Sequence, residues 1–192
     1  MGNTTLPGIF CIESDWVISM ESKQSVEPAL QALERAGYIR LIRRSANTAA
    51  ELELYLDRWF EYRLRSFTLA YLGFHGTART LHLRDQELNL PHLAGLIHGR
   101  AEGKVLHFGS CRAMAGDEQE LQQFCRATGA AAITGYTKNI EWLESSAFEL
   151  LLLPELMDAV RMKSAHDRIV RRYPDLAERL GFRMSHATWT SP

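Results

Sequence analysis

Residues 69–76 read LAYLGFHG, and residues 104–111 read KVLHFGSC. Both are apolar runs that would cover both faces of a pleat, the pattern of a strand buried at the centre of a parallel sheet. Each run leads into one chemically active side chain, His75 followed by Gly76 in the first, and Cys111 preceded by Gly109 and Ser110 in the second. In open α/β sheets, chemistry collects outside the carboxyl ends of the strands, where the strand order reverses. Fold and function therefore turn on the same two positions.

Working outward, PGIFCIESDWV (7–17) has β-branched and aromatic character and predicts a first strand followed by a polar loop. Helical spacing of Val26, Leu30 and Leu33, ended by Gly37, predicts a helix. YIRLI (38–42) predicts a short strand, and Asn47 or Thr48 can cap a long helix through residue 64. Between the two central strands, RTLHL (79–83) alternates as an exposed ribbon and Leu90-Pro91 opens a helix. After Cys111 come a helix ended by Gly129, a strand over residues 130–135, and helices over 141–157, 158–172 and 175–180. Strands alternating with amphipathic helices predict an α/β fold, a three-layer sandwich around a mostly parallel sheet. Residues 1–192 read as a single domain, with 158–192 a helical C-terminal extension of it.

Composition narrows the function classes. Apolar residues make up 46% of the 192, and the formal net charge is −1, so no global field favours nucleic acid or an acidic membrane. The clusters Arg40, Arg43, Arg44 and Arg168, Arg171, Arg172 read first as solvated faces. Three cysteines, Cys11, Cys111 and Cys125, lack a disulfide framework and suit a reducing cytoplasm. No apolar run approaches the roughly 20 residues of a membrane span, and MGNTT alone does not make a lipidation signal. The histidines lack paired ligand spacing, His107 has no evident carboxylate partner, and no glycine-rich phosphate loop follows a strand. Neither a metal nor a cofactor is expected.

A cysteine nucleophile needs a base within reach, which two neighbouring parallel strands ending at one rim can supply. Cys11, within a strand, and Cys125, beside Phe124 on a helix, read as core.

The two blocks, LAYLGFHG and KVLHFGSC, with a loop, ribbon and helix between them, resemble those of the caspase-like cysteine peptidases of clan CD: caspases, metacaspases, separases, gingipains and bacterial CHAT proteins. GSCRAMAG looks closest to the CHAT version. The resemblance covers residues 67–137 and implies a cysteine endopeptidase acting on protein or peptide substrates. It implies His75 as general acid or base, Cys111 as nucleophile and the Gly76 N–H as oxyanion donor. It also implies an effector of bacterial defence or cell death, restrained by an activating partner, a small-molecule signal or self-association. Caspases carry glutamine and metacaspases aspartate two residues before the nucleophile, where this chain has Gly109, so neither preference transfers. Gly109, Ser110, Asp117 and Tyr136 are the candidate substrate-binding residues, Asp117 reading first as a helix cap. The rival reading is an inactive caspase-like binding or sensor module.

Overall fold

A computed structural model describes residues 6–17, 19 and 21–192. Five parallel strands form most of a seven-stranded sheet: β1 (Gly8–Glu13), β2 (Arg40–Ser45), β3 (Phe67–Gly73), β7 (Val105–Phe108) and β8 (Ala132–Tyr136). Between β3 and β7 lies a separate antiparallel ribbon of β4 (His75–Thr77), β5 (Thr80–His82) and β6 (Glu87–Asn89). Two antiparallel strands, β9 (Phe182–His186) and β10 (Trp189–Thr190), complete the large sheet, whose order is β10-β9-β8-β7-β3-β1-β2.

Helices cover both faces. One face carries α2 (Ala49–Trp59), α3 (Leu90–Ile97) and α4 (Glu118–Thr128), which bury Leu52, Leu56, Leu93, Leu121 and Phe124 against Ala70, Leu72 and Leu106 of the strands. The other carries α1 (Glu27–Arg35), α5 (Trp142–Met157), α6 (Met162–Arg172) and α7 (Pro174–Leu180), packed on Ile9, Cys11, Leu69 and Val105. Adjacent residues of β3 thus feed opposite cores, as the continuous apolar pattern requires. Each buried leucine contributes roughly 1.5–3 kcal/mol.

Local chemistry sets the boundaries. Thr48 caps α2 in a reciprocal pair with Glu51, and Asp117 caps α4 in the same way with Glu120. The helix expected through residue 64 ends at Trp59, where the buried indole donates to the Phe67 carbonyl at 2.8 Å and turns the chain back toward β3. The second strand lies two to three residues later than expected, because at the sheet edge RLIRRS can pair while its charged side chains reach outward.

The C-terminal extension is not wholly helical. After α7, residues 182–190 form the β9–β10 hairpin and add the antiparallel edge to β8. Ser185, whose hydroxyl pairs with that of Thr190 at 2.8 Å, is buried there, so polar side chains satisfied by one another mask the strand signal. No helix among the described residues is long and apolar enough to cross a membrane.

Candidate functional site

The strand order changes direction between β1 and β3, and the loops leaving β1, β3, β7 and β8 converge at that end of the sheet. His75 stands two residues past β3 and Cys111 three residues past β7, its parallel neighbour. Both side chains line one cavity of about 280 Å³ together with Trp16 from the loop after β1 and Ile140 and Trp142 after β8.

Three bonds hold the ends of β3 and β7 together. The Gly109 N–H donates to the Leu72 carbonyl at 3.0 Å. The Ser110 hydroxyl accepts from the Phe74 N–H at 3.2 Å and donates to the Leu72 carbonyl at 3.4 Å. Ser110, expected to bind substrate, is 1% exposed and serves instead as the clasp between the two chemical strands. After Cys111 the chain turns sharply through Arg112 at φ 55°, a conformation that β-carbon sterics disfavour. The Arg112 N–H donates to the Lys138 carbonyl, and the Ile140 N–H donates to the Cys111 sulfur at 3.4 Å. The loop after β8 thus presents a hydrogen-bond donor to the thiol.

The imidazole of His75 is oriented by the loop after β1. A carbonyl oxygen only accepts, so the 2.6 Å contact with the Trp16 carbonyl makes Nε2 the donor and leaves Nδ1 as the basic nitrogen of the neutral ring. The Trp16 indole also meets the imidazole edge-on at 5.3 Å. Trp16 is itself fixed by Glu13, whose fully buried carboxylate accepts from the Trp16 indole at 2.9 Å, the Ser25 hydroxyl, the Val26 N–H and the Arg43 guanidinium at 2.8 Å. No hydrogen bond joins His75 to Cys111.

Gly76 is required by space. A β-carbon there would stand 2.6 Å from the Cys111 carbonyl oxygen. Thr77 and Thr80 flank a two-residue turn, so alternation along the antiparallel ladder turns the Gly76 N–H away from β5.

Gly109 also answers to packing. A β-carbon there would collide with the Tyr71 hydroxyl and ring, which occupy the space a longer side chain would need. That hydroxyl donates to Glu149 at 2.8 Å, Tyr136 donates to the same carboxylate at 2.9 Å, and His107 Nε2 lies 3.2 Å from it. His107 Nδ1 reaches the Thr134 hydroxyl at 2.9 Å. Burial first, and then the Glu149 charge, push both tyrosine hydroxyls well above the ordinary range, so they remain protonated donors.

Tyr136, expected in the substrate groove, is therefore wholly buried beneath the sheet, and His107 has the carboxylate partner its sequence context did not reveal. Strand register gathers the cluster. Tyr71 and His107 are paired across β3–β7, His107 pairs with Thr134 across β7–β8, and Tyr136 lies two residues on, so all four share one pleat face.

Asp117 does not line the cavity; its carboxylate accepts the Glu120 N–H at 2.8 Å as the cap of α4. Asp117→Ala should cost about 1 kcal/mol of stability in chemical denaturation and leave any activity of the site unchanged. A lost activity with unchanged stability would return Asp117 to the site.

Of the three free cysteines, Cys11 and Cys125 are buried and Cys111 is partly exposed. Burial pushes the Cys125 thiol up to about 12, and burial together with the Glu13 charge raises Cys11 well above the usual thiol range. In the native protein at neutral pH, iodoacetamide should label Cys111 alone, as peptide mapping by mass spectrometry will read. Equal labelling of Cys125 would contradict its burial.

Most of the two arginine clusters is engaged within the fold, while Arg44 and Arg171 are exposed. Arg43 pairs with Glu13, Arg40 lies over the Phe67 ring, and Arg168 and Arg172 both reach Glu155. Among the described residues, no group of three histidine, cysteine or carboxylate side chains is placed to hold a metal ion.

A family model matches residues 7–186, nearly the whole chain and all the elements that build the site. The chain belongs to the family of unknown function DUF6642. No curated protein matches the chain. The matched span of the DUF6642 family includes His75, Gly76, Gly109 and Cys111, along with Trp16, Glu13 and Glu149.

Proposed function

We propose that this protein is a cysteine endopeptidase with a caspase-like fold, acting through His75 and Cys111. The observation that carries the reading is that a histidine and a cysteine, ending neighbouring parallel strands, line one cavity. A mostly parallel sheet between two helical layers supports the fold assignment, as do the ribbon and helix between the two strand blocks.

The chemistry follows from the donors and acceptors present. The Cys111 thiol gives its proton to His75 Nδ1, and sulfur attacks the carbonyl carbon of the scissile peptide. In this reading the Gly76 N–H, left free by the ribbon's ladder, stabilises the oxyanion. His75 returns the proton to the leaving nitrogen as the C–N bond breaks, leaving a thioester. Water, deprotonated by His75, then releases the acid and regenerates the thiol. The Nε2 bond to the Trp16 carbonyl keeps the ring in the tautomer this needs and stabilises the imidazolium between steps.

The test is digestion of a diverse peptide library by the wild-type protein and Cys111→Ala, read by mass spectrometry. Products that appear only with the intact cysteine support the peptidase. If both proteins yield the same products, the reading fails.

A further inference from the structure

We infer that the cavity beside Cys111 receives the side chain preceding the scissile bond, and that it takes an uncharged, apolar residue of leucine or methionine size. This rests on the peptidase reading and adds a substrate class to it.

Size comes first. At about 280 Å³ the cavity falls just below the range for sites that enclose whole small molecules, roughly 300–1,000 Å³, and suits one side chain rather than a ligand. It holds the nucleophile itself, so a carbonyl placed on the sulfur delivers the adjoining side chain directly into it.

Its walls are apolar. Trp16 and Trp142 meet edge-on at 5.1 Å, and Val26 and Ile140 also line the space. Apart from His75 and Cys111 themselves, the polar contributions are neutral, from Gln24, Tyr71 and the serines near the start of α5, and the Ser145 hydroxyl is already directed to the Trp142 carbonyl at 3.1 Å. Among the described residues, no aspartate, glutamate, lysine or arginine lines the cavity.

The charges nearby are occupied. Glu13 accepts from four donors including Arg43, and Glu149 is shared by two tyrosines and His107. A charged substrate side chain would lose its hydration here and find no fixed counter-ion beyond the reacting His75 itself. At Gly109, where caspases and metacaspases carry a polar side chain, the Tyr71 ring forms the floor instead. The pocket thus selects against charge by desolvation and against bulk by its tryptophan walls.

The experiment uses peptidyl acyloxymethyl ketones that differ only in the residue next to the reactive carbon: leucine, asparagine, aspartate, arginine or tryptophan. The cysteine sulfur displaces the carboxylate, forming a C–S bond that intact-mass spectrometry counts. Labelling of Cys111 should be about tenfold or more faster with leucine than with aspartate, arginine or asparagine. Ser146→Asp, a change at a half-exposed position, should raise arginine labelling by at least about tenfold. Trp142→Ala should admit tryptophan. Fastest labelling with a charged or amide residue would overturn the pocket assignment while upholding the peptidase. If no probe labels Cys111 in folded protein that iodoacetamide does label, both the peptidase reading and the pocket fall.

Discussion

Cys111→Ala should abolish cysteine-dependent cleavage, a loss on the order of 10⁴-fold or more, with the melting temperature moved by no more than ~2 °C. The two expectations belong together. The Cys111 thiol is partly exposed and its one hydrogen bond is accepted from the Ile140 N–H, so removing it opens no core cavity. Cys125→Ala should behave in the opposite way. That thiol is 1% exposed, among Phe124 and its neighbours in the core under α4, so the variant should lose stability and keep activity. His75→Ala should cost about 10²–10⁴-fold, less than loss of the nucleophile. Full activity in Cys111→Ala would remove the dyad from the mechanism, whatever the behaviour of the other variants.

Glu149→Ala should destabilise the protein by about 3–5 kcal/mol, equivalent to a fall of about 10 °C in melting temperature. The carboxylate is the common acceptor for the Tyr71 and Tyr136 hydroxyls and the partner of the His107 ring, all of them buried. Removing it strands these donors, each at roughly 1–3 kcal/mol, in a place water does not reach. Replacing the hydroxyls as well tests the cause. Glu149→Leu combined with Tyr71→Phe and Tyr136→Phe should recover part of the loss, because the stranded donors are then gone. A shift under ~2 °C for Glu149→Ala in differential scanning calorimetry would mean that the network contributes little. Tyr71 also floors the cavity beside Cys111, so loosening it should blur the preference for the residue before the cut.

Local patterns carried far into this fold. Short strings apolar on both faces and bounded by turn residues, such as LAYLG and KVLHF, suit strands covered on both sides, and β3 and β7 are central neighbours. The caps were equally legible, since Thr48 with Glu51 and Asp117 with Glu120 are local pairs whose geometry follows from spacing. The C-terminal hairpin was not. Phe182–His186 is a short strand whose identity depends on pairing with β8, some fifty residues earlier in the chain. Long-range pairing of this kind leaves little mark on local composition.

The same division runs through the site. The sequence determined which side chains are chemically active and set His75 and Cys111 each at the end of a strand, because hydrophobic periodicity and strand ends are local properties. Tertiary structure alone decided that the two strands are neighbours and that Trp16 orients the imidazole. It also decided that Ser110 clasps the strands and that Tyr136 lies in the core rather than the groove. The physical reason is that polar side chains acquire their roles from partners far away in the chain. Glu149 looks like an interruption in FELLLL until three donors, one from each of β3, β7 and β8, converge on it.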